Sequence, residues 1–162
     1  MSGKVNVKKF RKVLVANRGE IAIRIFRALS ELGITTVSIY SKEDRYAMFR
    51  SKADESYPLN PQKGPIDAYL DIDTIIKIAL NAGVDAIHPG YGFLSENPEF
   101  VDACEQNGIT FIGPSSDIMR AMGDKISSKQ IAIAALFPVL ITRSKILTQQ
   151  QKLQQKSVFR LC

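Results

Sequence analysis

Short apolar runs alternate with amphipathic stretches along most of the chain. The first apolar run covers 13–15, and the segment after it carries apolar residues at helical spacing: Ile21, Ile25, Leu29 and Leu32. Gly33 follows, as is common just past the end of a helix. Because a run rich in β-branched residues comes next at 35–40, with a strand predicted at 37–39, the pattern predicts a strand, a helix and a second strand, as in a parallel βαβ unit.

The alternation continues to about residue 122. Apolar residues at helical spacing predict a helix over 71–82, and a strand is predicted at 86–87. Further helices are predicted over 97–107 and 116–122, with a strand at 110–112 between them. The order predicts an α/β fold, a Rossmann-like doubly wound parallel sheet that binds ligands at the carboxyl ends of its strands. The expected site loops are therefore 16–20, 88–97 and 113–116.

The composition changes after residue 135. All ten glycines and all 16 acidic residues precede residue 136, whereas five of the 22 basic residues follow it. We therefore predict a basic lead over 1–10, one domain over 11–135 and an aberrant, poorly ordered basic tail over 136–162. Because most of the net charge of +6 lies in that tail, nucleic-acid binding is not expected.

Several protein classes are disfavoured by composition. No apolar run approaches the ~20 residues of a membrane-spanning helix, so no membrane partner is expected. The basic lead has no apolar stretch that could act as a secretory signal. Cys104 and Cys162 are too few to suggest a disulfide framework or a zinc site. These features predict a cytoplasmic protein.

The turn after the first strand reads Val-Ala-Asn-Arg-Gly-Glu-Ile over 15–21. It stands where a dinucleotide-binding fold carries three glycines, and it has only Gly19. NAD binding is therefore disfavoured. A plain strand-to-helix turn remains an alternative to a ligand site.

The loop over 88–97 reads His-Pro-Gly-Tyr-Gly-Phe-Leu-Ser-Glu-Asn. Its glycines and proline shape a loop that displays aromatic rings and a carboxylate, which can contact a ligand with backbone and ring together. In the alternative, Tyr91 and Phe93 cover the core and Glu96 begins a helix, where an acid suits the helix dipole. We expect His88, the single histidine, to be a buried, hydrogen-bonded structural residue rather than a base.

Four motifs together resemble the biotin carboxylase family. They are the turn over 15–21, the loop over 88–97, Phe-Ile-Gly-Pro at 111–114 and Met-Gly-Asp-Lys at 122–125, and they occur in the family's order. The similarity extends from about residue 10 to 135. The segments 39–41, 52–55 and 68–70 look more like pyruvate carboxylases than acyl-CoA carboxylases.

The resemblance implies an ATP-dependent ligase. Its intact form uses ATP, Mg²⁺ and bicarbonate to make carboxyphosphate, carboxylates N1 of biotin, and passes the carboxyl group to pyruvate, giving oxaloacetate. The implied partners are a biotin carboxyl carrier domain and the remaining carboxylase domains. A carboxylase subunit for acyl-CoA remains an alternative.

The resemblance also implies roles for particular residues. Lys125 looks like the family's ATP-contacting lysine, although a surface lysine is the default for such a position. The biotin-proximal loop would comprise His88, Tyr91, Gly92, Phe93 and Glu96. The family's homodimer contacts would comprise Arg24, Arg27 and Glu31, which share one face of the first helix at i, i+3 and i+7. A solvated helix face is the alternative for these three.

The family pattern stops after Ala135. Back-translated with permitted codons and read one nucleotide earlier, the tail spells residues similar to the family's next helix and strand. Our hypothesis is that a small deletion near codon 136 shifted the reading frame. The family's glycine-rich lid, metal-binding carboxylates and bicarbonate-binding groups lie beyond this point.

We therefore expect this chain to hold no complete catalytic set and no metal site, and to be inactive alone. A non-catalytic dimerisation module is one alternative function. A generic mononucleotide-binding Rossmann domain is another, less favoured because the glycine fingerprint is missing.

Overall fold

The computed structural model describes residues 9–123 and 125–136, apart from the side chains of Lys125 and Ser127. One sheet lies in this part of the chain, and all its pairings are parallel. Its strands are β1 (Lys12–Val15), β2 (Thr35–Tyr40), β3 (Glu55–Pro58), β4 (Ala86–His88) and β5 (Thr110–Phe111). They run in the order β3-β2-β1-β4-β5. The predicted α/β doubly wound parallel sheet is confirmed.

The described residues form five α-helices. They are α1 (Gly19–Glu31), α2 (Ile72–Ala82), α3 (Pro98–Gln106), α4 (Ser116–Gly123) and α5 (Lys125–Ala134). The chain divides into two compact units between Gly123 and Asp124, so α5 belongs to the second unit. Of the predicted tail over 136–162, residues 137–162 lie outside the described residues.

Two apolar layers cover the sheet, one on each face. Along β1 the side chains alternate, so Val13 and Val15 pack with Phe26 of α1, while Leu14 packs in the cluster that holds Phe100 of α3. Burying such a side chain contributes about 1.5–3 kcal/mol, which makes these layers the main stabilisation of the fold. The second cluster also encloses Cys104, whose thiol is free and whose pKa burial raises to about 12.

The predicted apolar stripe of α1 is wrong at its end. Leu32 is 74% exposed and forms the helix C-cap. The buried face instead includes Ala22 and Phe26 beside Ile25 and Leu29. The Leu32 amide still bonds to the Ala28 carbonyl oxygen at 3.3 Å, but the residue lies at the cap, beyond the turns whose side chains pack in the apolar layer.

Local chemistry explains where the next two helices begin and end. The carboxylate of Asp71 accepts the Thr74 amide hydrogen at the start of α2, and the side-chain oxygen of Asn97 accepts that of Phe100 at the start of α3. Such caps satisfy donors that a helix leaves unpaired. Gly83 ends α2 in the left-handed conformation that glycine adopts without strain.

Candidate functional site

The site lies where the chain order across the sheet reverses. β1 pairs with β2 on one side and with β4 on the other, so the loops after β1 and β4 leave the sheet side by side. The Ala16 amide donates to the His88 carbonyl oxygen at 2.9 Å, which extends the pairing one step into both loops. Ligands of doubly wound sheets bind at this switch point. The structure thus brings the predicted loops 16–20 and 88–97 together.

The side chain of Asn17 holds the second loop. It is buried, and its Nδ2 donates to the carbonyl oxygens of Pro89 at 2.8 Å and Tyr91 at 2.9 Å. Its Oδ1 accepts the Arg18 amide at 2.9 Å. The turn after β1 is therefore more than a connection, because it supplies the donor that fixes the path of the loop backbone.

Gly90 is required by this close approach. A Cβ at this position would lie 2.6 Å from Nδ2 of Asn17, and the backbone has a φ of +68°. Contact at that distance would displace the amide, and positive φ strains every residue that carries a side chain. Glycine at this position therefore permits both hydrogen bonds of Asn17.

His88 is half-buried, and its Nδ1 accepts the Gly90 amide hydrogen at 3.0 Å. Desolvation by burial lowers the pKa of the imidazole. Both observations favour the neutral ring with its proton on Nε2. The expected hydrogen bond is present, whereas the expected full burial is not.

The two aromatic residues of the loop differ in exposure. Tyr91 is 69% exposed. The ring of Phe93 is partly buried and stacks on Tyr69, with centroids 5.2 Å apart and an interplanar angle of 27°. The alternative in which both rings cover the core therefore fits Phe93 but not Tyr91. Glu96 is exposed and precedes α3 by two residues, so it does not begin that helix.

A buried carboxylate lies behind Phe93. Asp44 accepts the Tyr69 hydroxyl at 2.8 Å on Oδ2, and its Oδ1 pairs with the guanidinium of Arg18 at 2.9 Å. The Ser41 amide donates to the Tyr69 hydroxyl oxygen at 3.2 Å. Burial, followed by the bond to Asp44, raises the pKa of Tyr69, which keeps the hydroxyl protonated as a donor. Sequence reasoning did not identify this network, and no local pattern indicates that its members meet.

A cavity of about 540 Å³ lies between the end of this loop and the start of α4. Its wall combines one carboxylate with mostly apolar side chains: Ser95, Glu96, Pro114, Ile118, Met119, Met122 and Gly123. The third predicted loop, 113–116, therefore contributes Pro114 to the same region.

The proposed dimer residues lie apart from this loop, on the outer face of α1. Arg24 pairs with Glu20 at 3.3 Å and Arg27 with Glu31 at 3.0 Å, all four side chains being strongly exposed. Across the described ranges, no salt bridge joins Arg24, Arg27 or Glu31 to another element. Exposed pairs of this kind contribute about 0.3–0.5 kcal/mol each.

Lys125 is the first residue of α5, in the second unit, and its side chain lies outside the description. Its contact with ATP remains a prediction. Over the described ranges, no group of three or more His, Cys, Asp or Glu side chains is arranged to hold a metal ion. No helix in those ranges is long and apolar enough to cross a membrane.

Known proteins are similar to this chain in sequence and in fold. Residues 9–119 match the family described as biotin carboxylase, N-terminal domain. The mitochondrial pyruvate carboxylase of Rattus norvegicus is 55% identical over 137 residues, covering 85% of this chain and 12% of the rat protein. This chain thus spans about an eighth of that relative's length.

Solved structures agree with this similarity. The crystal structure of a multifunctional pyruvate carboxylase from Rhizobium etli superposes with a TM-score of 0.79 and 53% identity, covering 83% of this chain and 13% of that chain. The biotin carboxylase domain of Hydrogenobacter thermophilus 2-oxoglutarate carboxylase, solved with MgADP, ADP and bicarbonate, gives 0.78 and 48%, covering 83% and 29%. The chain belongs to the biotin carboxylase N-terminal domain family.

Proposed function

We propose that this chain is the N-terminal lobe of a biotin carboxylase domain from a pyruvate carboxylase-like protein. In the whole protein, ATP and bicarbonate would form carboxyphosphate, biotin would be carboxylated at N1, and pyruvate would become oxaloacetate. The observation that supports this most is the loop over 88–97, held at the switch point by Asn17 in a chain of this family. Pyruvate as acceptor is favoured by the similarity to the rat enzyme.

In this proposal the loop receives the biotin ring system. The exposed ring of Tyr91 offers an apolar face, and Gly92 beside it leaves the backbone open to close approach. His88 acts in support, because its Nδ1 is occupied by the Gly90 amide. Glu96 adds a carboxylate to the wall of the adjoining cavity.

ATP, Mg²⁺ and bicarbonate need more than this lobe provides. Lys125 would supply one positive charge to a phosphate. The described carboxylates form no cluster suited to Mg²⁺, so no step through the metal is assigned to them. The remaining domains and the biotin carboxyl carrier domain would supply the other groups as partners. A cytoplasmic location remains a prediction, and the rat relative is mitochondrial by name.

Turnover measurements test the inactivity of the chain alone. The purified chain is expected neither to hydrolyse ATP in the presence of bicarbonate nor to carboxylate free biotin, since proximity of all reactants is missing. An intact pyruvate carboxylase, assayed in parallel, verifies the assay. Biotin-dependent turnover by the chain would contradict the incomplete catalytic set.

Biotin binding by the loop is tested separately by NMR titration. Millimolar biotin is expected to shift the amide signals of 88–97, and Tyr91→Ala should abolish those shifts. Leu80→Ala is the control, because Leu80 is also a large exposed side chain but lies on α2, away from the loop and its supporting contacts. Equal loss in both variants, or no shift in the wild-type loop, would refute the proposed role.

The outer face of α1 supports a second candidate function, dimerisation. Arg24, Arg27 and Glu31 are exposed, and their ion pairs lie within α1 itself. Leu32, at the end of the same helix, exposes a large apolar side chain. Charged residues beside an exposed leucine fit a surface that a second copy covers.

A further inference from the structure

We propose that Asp44 is a positioning residue for the biotin-facing loop, acting through Tyr69 and Phe93. That the loop faces biotin rests on the proposed function, whereas the claim that Asp44 positions the loop does not. Asp44 lies after β2, in a short 3-10 helix (Glu43–Tyr46), and the loop follows β4. The contact path therefore crosses the end of β1.

The Asp44 carboxylate is hydrogen-bonded to several neighbouring side chains. It is 7% exposed and receives the Tyr69 hydroxyl and the Arg18 guanidinium on different oxygens. The Ser41 hydroxyl lies 3.4 Å from Oδ2. A buried carboxylate persists only when it is paired and hydrogen-bonded, so these partners are fixed relative to one another.

Tyr69 links the Asp44 carboxylate to the ring of Phe93. Its hydroxyl is bound at one end by Asp44 and the Ser41 amide, and its ring is almost completely buried. The hydroxyl oxygen lies on the axis about which the ring rotates, so its hydrogen bonds fix the direction of that axis, and the close packing around the buried ring sets the ring plane. Phe93 stacks against that plane, so the loop side chain takes its orientation from Tyr69.

Phe93 needs such support. Its φ is +47°, a conformation that is uncommon for residues other than glycine. A strained backbone persists where its surroundings over-determine it. Asn17 binds the carbonyl oxygens of Pro89 and Tyr91, and Tyr69 holds the ring of Phe93. The exposed ring of Tyr91 therefore lies on a stretch of backbone that is held at both ends.

Amide hydrogen exchange in the full chain tests this link. The amides of Gly90 and Ser95 report on the loop, since each is hydrogen-bonded within it at 3.0 Å. Asp44→Asn is expected to speed their exchange about tenfold, the size expected for losing a charged hydrogen bond. Tyr69→Phe keeps the ring and removes the hydroxyl, so a rise of about threefold is expected. The Ala16 amide at the end of β1 should be unaffected.

Asp54→Asn is the control for removing a hydrogen-bonded carboxylate elsewhere in the lobe. Asp54 also accepts hydrogen bonds from a neighbouring element, namely from the amide of Thr36 at 2.8 Å and from its hydroxyl at 2.7 Å. It should alter overall stability without a selective effect on Gly90 and Ser95. If Asp44→Asn does not fold, Tyr69→Phe alone decides.

Unchanged loop exchange in Tyr69→Phe, or a rise shared equally with Ala16, would overturn the proposal. A selective rise in the loop supports it, whether or not biotin binds. The same variants titrated with biotin separate the two claims. If the wild-type chain shows no biotin shifts while the loop still responds, the positioning role stands and the biotin assignment fails.

Discussion

The loop over 88–97 and the outer face of α1 are both rich in polar or charged residues, but the structure treats them differently. The loop is held by a buried amide, a histidine nitrogen and a stacked ring. The α1 face has exposed ion pairs that join residues of the same helix. The loop is thus preorganised by its own fold, whereas the helix face would obtain a fixed arrangement only from a partner.

This contrast has an energetic basis. Leaving a buried donor or acceptor unsatisfied costs about 1–3 kcal/mol, so each contact beneath the loop is expensive to remove. An exposed i,i+4 pair contributes only about 0.3–0.5 kcal/mol. Substitutions in the loop should therefore change stability, and substitutions on the helix face should change association.

The largest expected effect is that of Gly90→Ala. The added Cβ would lie 2.6 Å from Nδ2 of Asn17, and the alanine would have to adopt a positive φ. Strain of about 1–2 kcal/mol and the loss of at least one buried hydrogen bond should lower the free energy of unfolding by about 3 kcal/mol. Urea denaturation followed by circular dichroism measures this change.

Gly92→Ala is the control for Gly90→Ala. Gly92 has the same φ of +68°, yet a Cβ there meets no atom within 4 Å. Only the backbone strain remains, so the expected loss is about 1 kcal/mol. Equal losses in the two variants would show that the approach of Asn17 does not determine the loop.

Much of the fold could be predicted because β1, β2, β4 and β5 are largely buried strands that each carry apolar or β-branched residues. β3 was not predicted, since Glu55–Pro58 is a partly exposed edge strand with a charged residue and a proline. The loop was identified from its residue types and its order among the motifs. The supporting contacts of Asp44 and Tyr69 were not, because residues 25 positions apart in sequence meet only after the sheet has formed.

An intermediate effect is expected on the α1 face. The double variant Arg24→Glu, Arg27→Glu reverses two exposed charges, and it should weaken self-association at least tenfold, about 1.4 kcal/mol. Stability should change by no more than about 0.5 kcal/mol per site, because neither side chain is buried. Sedimentation velocity over a concentration series measures the association.

Lys77→Glu serves as the control for that reversal, since Lys77 is exposed on α2. It changes the net charge without touching α1. Equal weakening by both substitutions would indicate a general charge effect, and a wild-type chain that stays monomeric would remove the dimer hypothesis for the isolated lobe.

The smallest expected effect concerns pH. Burial lowers the pKa of folded His88 below its ordinary value of 6.5, so the unfolded chain takes up the proton first as the pH falls. His88 therefore stabilises the fold above about pH 6.5, and this contribution is lost as the pH falls toward the folded pKa. Urea titrations between pH 7.5 and 5 on the wild type and His88→Gln isolate it, because the chain has one histidine. Parallel pH profiles would contradict it.

The position of β1 at the centre of the sheet has a consequence for synthesis on the ribosome. β1 emerges first, and its partner β2 follows soon afterwards, but Val13 pairs with Ala86 on its other side. That pairing waits until most of the lobe has been translated, and β5 then joins β4. Sheets with such distant pairings fold slowly, because the entropy of loop closure is lost before the stabilising contacts between the strands form. Until β4 has been synthesised, one edge of the apolar strand β1 has unpaired backbone groups, which a wrong strand or a chaperone can bind.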